Sequence, residues 1–493
     1  MKFQSTRDLD GEKLSAAQII KQGLAADGGL FVPESIPTLT SEEIEALRKV
    51  DYPTRAAKIL GKFLTDYTEE ELLADCRAAY AKTSFVGGAA PLVALDETLH
   101  SLELWHGPTA AFKDMALQIM PRLLSRALVK TGEERTALIL VATSGDTGKA
   151  ALEGYKDIDR IKIAVFYPVD GVSRVQKLQM QTQTGDNVYV CAINGNFDDA
   201  QTGVKRIFSD KGAADLLNEK GYFFSSANSI NWGRLAPQIV YYVSAYCDLL
   251  NKGTLKMGEK MNVTVPTGNF GNIFAAYLAK LMGLPIDRLV CASNKNNILT
   301  DFLNTGTYDR NRQFHLTMSP SMDILISSNL ERLIYFTAGA ERTAQYMKSL
   351  SETGAYTVDP DVKQAIDASF CGFFADEETT AKTIRAFMER YHYLADTHTA
   401  VALSAAEQYI EKTGDRKPMV VASTASPYKF ASDVYTSLYD KAPADPLAAL
   451  DALSAKTATE IPYPLRGIGE RKVRFTDVVP AADMWEAVKK YLG

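Results

Sequence analysis

Residues 261–282 have the sequence MNVTVPTGNFGNIFAAYLAKLM, in which a glycine-containing loop separates an apolar run from a helical pattern. The run 261–265 predicts a buried strand, and residues 273–282 predict a helix. Gly268 and Gly271 carry no side chain, so backbone N–H groups can approach an anion, and the helix N-terminus adds partial positive charge. This order of elements predicts a phosphate site. Because the spacing differs from GxGxxG, a dinucleotide-binding fold is disfavoured.

Short apolar runs alternate with helical stretches from residue 102 onward. These runs are rich in Val and Ile and span residues 137–142, 161–167, 188–193, 261–265, 289–292 and 419–422. Such alternation is typical of crossover units, so the sequence predicts an α/β protein whose largely parallel sheet has helices on both faces.

Two more loops follow predicted strands and precede helices, at residues 143–148 and 423–427. The first resembles a nucleotide-binding P-loop, but its glycine spacing is short and Ala150 stands where Ser or Thr would hold magnesium. Each loop alone could be a simple helix cap. Three such loops at strand ends of one expected sheet favour a shared ligand site, because ligands collect at the carboxyl ends of parallel strands.

Lys113 lies in the segment 103–118, after the turn residues Gly107 and Pro108. We expect a helix to begin near Ala110, which places Lys113 in its first turn. A cation is unfavourable there, and this lowers the cost of deprotonating the amine, as a lysine that forms a Schiff base requires. The alternative is a solvated surface lysine paired with Asp114.

The chain divides into three predicted regions. Residues 1–98 are mainly helical, with capping boxes from Thr40 to Glu43 and from Thr68 to Glu71. Residues 99–440 form the α/β region, which has two lobes, the smaller roughly within 130–210. Residues 441–493 form a wrapping C-terminal segment that ends in a helix near residues 484–491.

Composition argues against several classes of partner. The 493 residues carry a formal charge of −6 and have a pI near 5.6, without a basic stripe for nucleic acid or an anionic membrane. The five scattered cysteines lack metal-site spacing, so we expect reduced thiols and no metal. Residues 1–10 contain no apolar run typical of a signal peptide, and no long apolar stretch predicts a membrane span. We therefore expect a cytoplasmic protein. The sequence leaves a monomer and a homodimer both open.

At its motifs the sequence resembles the threonine synthase family, in the longer bacterial and fungal form. The similar segments cover nearly the whole chain and include residues 5–7, 26–33, 103–118, 144–148, 228–232, 268–272, 321–324, 327–329, 396–400 and 423–425. The resemblance implies the tryptophan-synthase-β-like fold of pyridoxal-phosphate (PLP) enzymes. It also implies the conversion of O-phospho-L-homoserine and water to L-threonine and phosphate.

The resemblance also implies roles for individual residues. Lys113 would be the Schiff-base lysine, and Thr424 would offer a hydroxyl to the pyridine nitrogen. Asp146 would face the 3′-oxygen side of the cofactor. The cofactor phosphate would be bound by Gly268, Asn269, Phe270, Gly271 and Asn272. The substrate carboxylate or phosphate would be bound by Ser144 and Thr147, and the substrate phosphate by Arg234, for which surface ion pairing is the alternative.

Two positions depart from the family pattern. Asp8 stands where glycine is usual, and Asn297 stands where aspartate is expected. His106 and His398 lie within motifs, but a lone histidine is more often structural, so neither is assigned to catalysis.

Other functions also fit these residues. A dehydratase, or a phospho-lyase without water addition, would use nearly the same cofactor residues. A phosphometabolite-binding protein that retains the fold is the non-enzymatic alternative, and the position of Lys113 disfavours it.

Overall fold

The computed structural model describes residues 1–8 and 11–493; Leu9 and Asp10, at the end of the N-terminal stretch without an apolar run, lie outside the described residues. The strands are β1 (Phe3–Ser5), β2 (Phe31–Pro33), β3 (Leu92–Ala94), β4 (Leu99–Glu103), β5 (Thr136–Ala142), β6 (Ile161–Pro168), β7 (Val188–Asn194), β8 (Tyr222–Ser225), β9 (Met261–Pro266), β10 (Ile286–Ser293), β11 (Thr307–Asp309), β12 (Ala355–Thr357), β13 (Phe370–Phe374), β14 (Met419–Ser423) and β15 (Val478–Pro480).

The α-helices connect these strands and cover them. They are α1 (Ala16–Gln22), α2 (Ser41–Leu47), α3 (Tyr52–Phe63), α4 (Glu69–Ala79), α5 (Asp114–Leu117), α6 (Met120–Lys130), α7 (Asp146–Tyr155), α8 (Arg174–Gln181), α9 (Phe197–Ser209), α10 (Lys211–Glu219), α11 (Trp232–Leu235), α12 (Pro237–Asn251), α13 (Gly271–Leu281), α14 (Ile298–Thr305), α15 (Leu330–Ala338), α16 (Ala340–Thr353), α17 (Pro360–Asp367), α18 (Glu377–Tyr391), α19 (Thr397–Thr413), α20 (Ala431–Tyr439), α21 (Pro446–Thr457) and α22 (Met484–Leu492). In the described part of the chain, none of these helices is long and apolar enough to cross a membrane.

The larger sheet has the strand order β13-β10-β9-β14-β4-β3 and is parallel except for β3. Successive residues of a strand point to opposite faces. In β14, Val420 and Ala422 accordingly pack in one apolar cluster with α12 and α13, whereas Met419 and Val421 pack in another with α19. Helices therefore cover both faces, which explains why these strands are apolar throughout.

A second, smaller parallel sheet has the order β15-β7-β6-β5-β8. All six predicted strands are confirmed. The expectation that the three glycine- or hydroxyl-containing loops follow strands of one and the same sheet is wrong. The loop after β5 belongs to the smaller sheet, whereas the loops after β9 and β14 belong to the larger one. The reason lies in strand pairing: β5 pairs with β6 and β8, and the chain returns to the larger sheet only at β9.

Helices α1 to α4 come first in the chain and pack against other helices: α1 against α6, α2 and α3 against α12, and α4 against α3. The predicted capping boxes are confirmed, because Thr40 and Thr68 each accept a backbone N–H three residues ahead, and Glu43 and Glu71 reciprocate. The aromatic ring of Trp232 packs against Phe3 and Phe63, which ties this region to α11.

The C-terminal residues complete the smaller sheet. Strand β15 pairs with β7 at its edge, and Met484, Ala487 and Val488 of α22 are buried in the apolar cluster of that sheet. The smaller sheet therefore takes strands from residues 136–225 and 478–480, beyond the range 130–210. The predicted division of the chain into three regions remains a prediction.

Candidate active site

The Lys113 segment differs locally from the predicted helix. Helix α5 begins only at Asp114, and Lys113 is the residue before it. Ala110 adopts a left-handed conformation with φ 59°, which a helix does not allow. The carboxylate of Asp114 accepts hydrogen bonds from the Thr109 backbone N–H (2.8 Å) and from the Thr109 hydroxyl (2.7 Å). Asp114 therefore fixes the turn that ends at Lys113.

This turn is joined to the loop after β14. The Phe112 N–H donates to the Thr424 carbonyl at 2.7 Å, and the Ser426 N–H donates to the Ala110 carbonyl at 3.0 Å. β4 and β14 are adjacent parallel strands, so the segments that follow them leave the same edge of the sheet. The hydrogen bond of Phe112 then brings its neighbour Lys113 close to Thr424.

Lys113 is a buried lysine. Its Nζ lies 3.3 Å from the Ser321 hydroxyl and 3.8 Å from Oδ2 of Asp146. Burial lowers the pKa of the Lys113 amine; the charge of Asp146 opposes this, whereas the charges of Lys429 and Arg234 add to it. The alternative of a solvated lysine paired with Asp114 is therefore wrong.

The glycine-containing loop leads from β9 into α13. Phe270 has φ 62°, a left-handed conformation that is costly for a residue with a side chain, and such strain is characteristic of functional sites. Gly268 packs so closely that a Cβ there would lie 2.8 Å from the Ser321 carbonyl. The Ser327 hydroxyl donates to the Gly268 carbonyl at 2.6 Å, and the Asn329 N–H donates to the Asn269 carbonyl at 3.0 Å.

Asn272 lies in the first turn of α13, and only the oxygen of its side-chain amide has hydrogen-bond partners. Its Oδ1 accepts hydrogen bonds from Tyr241 (2.7 Å) and Tyr242. Its buried Nδ2 has no partner among the described residues. An unpaired buried donor is costly, so this amide is suited to a ligand that accepts hydrogen bonds.

The smaller lobe contributes the loop between β5 and α7. Thr143 holds this loop, because its hydroxyl accepts the N–H groups of Gly145 (3.0 Å) and Gly148 (2.9 Å). Ser144 is exposed and Thr147 is half-buried, and both line a cavity between the lobes. A hydroxyl-bearing loop therefore faces Lys113 across this cavity.

Arg234 lies in α11 and is buried. Its Nη1 donates to the Ala227 carbonyl at 2.6 Å, whereas its Nε has no partner within the described residues. No described carboxylate forms an ion pair with it, so the alternative of surface ion pairing is wrong. Burial lowers the pKa of Arg234 to about 10, which leaves it charged at neutral pH. A buried, unpaired guanidinium is suited to an anionic ligand.

The cavity encloses about 200 Å³ and collects these groups from both lobes. All the predicted site residues line it except Asp146, which is buried behind Lys113. Asn297 instead hydrogen-bonds with Asp301 and Arg312. His106 hydrogen-bonds with Glu103 outside the cavity.

Sequence reasoning missed four residues at this site. Ser321 contacts Lys113, and His398 accepts the Ser321 N–H on Nε2 (3.1 Å) while its Nδ1 pairs with Asp396 (2.7 Å). Gln238 lines the cavity, and Lys429 pairs with Asp146. Of these, Ser321 and His398 lie in motifs that the sequence analysis quoted, whereas Gln238 and Lys429 lie outside them.

The cavity fits pyridoxal phosphate. The loop of Gly268 and Phe270 at the start of α13, with the unpaired Asn272 amide, suits a phosphate dianion. Lys113 supplies a buried amine, and Thr424 supplies a hydroxyl at the end of the neighbouring strand. The fold thus brings together one phosphate site, one amine and, at Arg234, a second anion site.

Comparison with protein families gives three matches along the chain. Residues 2–80 match the model described as threonine synthase N terminus, residues 83–425 match pyridoxal-phosphate dependent enzyme, and residues 399–492 match threonine synthase, C-terminal.

Individual proteins are similar over most of the chain. Threonine synthase-like 1 from Pongo abelii is 39% identical over 455 residues, which are 88% of this chain and 60% of that protein. This chain thus spans about 60% of that relative's length. Threonine synthase from Pseudomonas aeruginosa is 38% identical over 460 residues, with 92% of this chain and 93% of that protein covered.

A solved structure agrees over the full length. The PLP-bound threonine synthase from Brucella melitensis is 37% identical and superposes with a TM-score of 0.88, covering 100% of this chain and 98% of that one. The predicted fold class and cofactor are confirmed. The chain therefore belongs to the pyridoxal-phosphate-dependent enzyme family, in its threonine synthase branch.

Proposed function

We propose that this chain is a threonine synthase that converts O-phospho-L-homoserine and water to L-threonine and phosphate with pyridoxal phosphate as cofactor. The observation that carries the proposal is the unpaired, buried Arg234 in the same cavity as Lys113. A substrate that carries both an amine and a phosphate could bind with its amine at the cofactor that Lys113 holds and with its phosphate at Arg234. The similarity to threonine synthases supports the same substrate.

In this proposal the cofactor is held by the predicted residues. Lys113 attaches it through Nζ, the backbone of residues 268–272 binds its phosphate, and Thr424 offers its hydroxyl to the ring nitrogen. A neutral hydroxyl, unlike a carboxylate, leaves that nitrogen largely unprotonated. The contact of Asp146 with the 3′-oxygen stays a prediction.

Pyridoxal phosphate supplies an aldehyde that accepts the substrate amine and a ring that withdraws electrons from the adjoining carbon. Lys113 would be the base of the reaction: its Nζ would accept the α-proton of the substrate and, after releasing that proton within the site, a β-proton. Its lowered pKa suits this role, because only the neutral amine can accept a proton.

The substrate phosphate requires its own positive charge. Arg234 neutralises the phosphate as it leaves the γ-carbon, through charge-assisted hydrogen bonds from its buried guanidinium. Ser144 and Thr147 bind the substrate carboxylate or phosphate from the smaller lobe. After the phosphate has left, Lys113 returns one proton to the γ-carbon and a second proton returns to the α-carbon. Water adds its hydroxyl at the β-carbon, and its remaining proton goes to the released phosphate.

The test is to supply O-phosphohomoserine to the PLP-loaded protein and to assay phosphate and threonine together. We expect equimolar release, and no turnover of unphosphorylated homoserine. Phosphate without threonine would identify a phospho-lyase, and consumption of serine or threonine faster than that of O-phosphohomoserine would identify a dehydratase. Binding without turnover would favour the phosphometabolite-binding alternative.

The partners and the location of the enzyme stay predictions. The net charge of −6 and the interspersed charges disfavour nucleic acid as a partner. A cytoplasmic location is expected from the N-terminal residues, which contain no apolar run. We expect a monomer or a homodimer, which sedimentation of the purified protein would distinguish.

A further inference from the structure

A second buried lysine, Lys429, lies beside the Lys113 site. It belongs to the 3-10 turn Pro427–Phe430 that follows β14, and its side chain is 0% exposed. Its Nζ donates to the Thr109 carbonyl at 3.0 Å and lies 2.7 Å from Oδ1 of Asp146. A buried ammonium is costly unless it is paired, so this ion pair is what holds Lys429 in place.

Asp146 lies between the two lysines. Its Oδ1 binds Lys429 and accepts a hydrogen bond from Gln176 at 2.8 Å, whereas its Oδ2 faces Lys113 at 3.8 Å. Burial acts to raise the pKa of Asp146, but the charges of Lys429 and Lys113 and the hydrogen bonds outweigh it, and this pKa lies well below its usual range. Asp146 is therefore a carboxylate at neutral pH.

This carboxylate poses a problem for Lys113. A negative charge 3.8 Å from an amine favours the protonated amine, which can neither attach the cofactor nor accept a proton. The other charged groups that face Lys113 are Arg234, which disfavours its protonation, and Asp114, which favours it. Burial raises the pKa of Asp114 to about 6, and its oxygens are bound by Thr109.

We infer that Lys429 is a positioning residue for the reaction: by pairing with Asp146, its ammonium offsets the carboxylate charge and keeps the Lys113 amine free of a proton. Asp146 can then orient Lys113 without trapping its proton. The inference deepens the proposed function, on which the role of Lys113 rests.

The test measures the proton affinity of Lys113 directly. The full-length chain freed of PLP is acylated with trace acetic anhydride across pH 6–11, and peptide mass spectrometry follows the rate at Lys113. In Lys429→Met the midpoint for Lys113 should rise by on the order of one pH unit, with about tenfold slower labelling below it. In Lys429→Met/Asp146→Asn, which removes both charges, the midpoint should return towards that of the native protein.

Lys149→Met is the matched control. Lys149 is also a buried lysine paired with a carboxylate, Glu153, at 2.9 Å. This variant should lose stability but leave the Lys113 midpoint unchanged. The pH dependence of the visible absorption of the PLP-loaded variants gives a second measurement on the holoenzyme.

An unchanged Lys113 midpoint in Lys429→Met, or the same shift in the single and double variants, would overturn the inference. If Lys429→Met does not fold, Lys429→Gln retains a donor for the Thr109 carbonyl and is compared in the same way. Because labelling requires no turnover, failure of this inference is distinguishable from failure of the proposed function, which would appear as absent threonine formation.

Discussion

Replacing Lys113 by alanine should abolish turnover, because the described cavity holds no second amine that reaches the position of Nζ. Lys429, the other buried lysine nearby, is held by Asp146 and the Thr109 carbonyl. Borohydride reduction of the PLP-loaded native protein, followed by peptide mapping, should label Lys113. Label on another lysine would contradict the assignment.

Arg234→Ala tests substrate choice at the scale of one residue. Loss of a charge-assisted contact of about 1.5–3 kcal/mol should lower kcat/KM for O-phosphohomoserine roughly tenfold to a hundredfold. An unphosphorylated amino acid such as serine should be processed at a nearly unchanged, low rate.

Arg234→Lys is the control, because it keeps the charge but not the planar fork and should recover part of the loss. Arg234→Ala also removes the hydrogen bond from the guanidinium to the Ala227 carbonyl. The thermal stability of each variant should therefore be measured together with its kinetics. Equal losses for both substrates would mean that Arg234 supports the fold or the cofactor instead of the substrate.

At the scale of elements, two glycines of the loop between β9 and α13 should respond differently to substitution: one change should weaken cofactor binding, and the other should lower stability. A Cβ at Gly271 would make only ordinary contacts, the nearest being 3.4 Å from Asn329. Gly271→Val should therefore fold, yet weaken PLP retention, because a branched side chain crowds the backbone donors. PLP titration should show a higher Kd, and unchanged affinity would refute the prediction.

Gly268→Ala, in contrast, should lower the stability of the protein itself. Its Cβ would lie 2.8 Å from the Ser321 carbonyl, a backbone atom that cannot simply rotate away. We expect a loss of about 1–3 kcal/mol in the free energy of unfolding of the PLP-free protein, measured by denaturant titration. A Gly268→Ala protein as stable as the native one would show that the Ser321 turn yields easily.

At the scale of the whole molecule, the C-terminal helix stabilises a lobe in which the strands β5 to β8 lie more than 250 residues earlier in the chain. Met484 of α22 is fully buried in the apolar cluster of the smaller sheet. Met484→Ala should lower the free energy of unfolding by about 2–5 kcal/mol. Lys490→Ala, at an exposed position of the same helix, should change it by less than about 0.5 kcal/mol; comparable losses in both variants would contradict this packing.

The sequence by itself determined the features that depend on neighbouring residues. The apolar runs predicted strands such as β5 and β9, and Thr40 and Thr68 predicted helix starts, because periodicity and capping act over a few residues. The glycines of residues 268–272 predicted a phosphate loop for the same reason. The family motifs added Lys113, Thr424 and Arg234, all of which line one cavity.

Only the tertiary structure decided how these pieces meet. The division into two sheets depends on which strands pair, and the start of α5 at Asp114 depends on a turn joined to the loop after β14. The burial of Lys113 and the pairing of Asp146 with Lys429 join residues that are far apart in the chain. Such contacts leave no local pattern, because the charge and solvation that one side chain experiences are set by groups that folding brings to it.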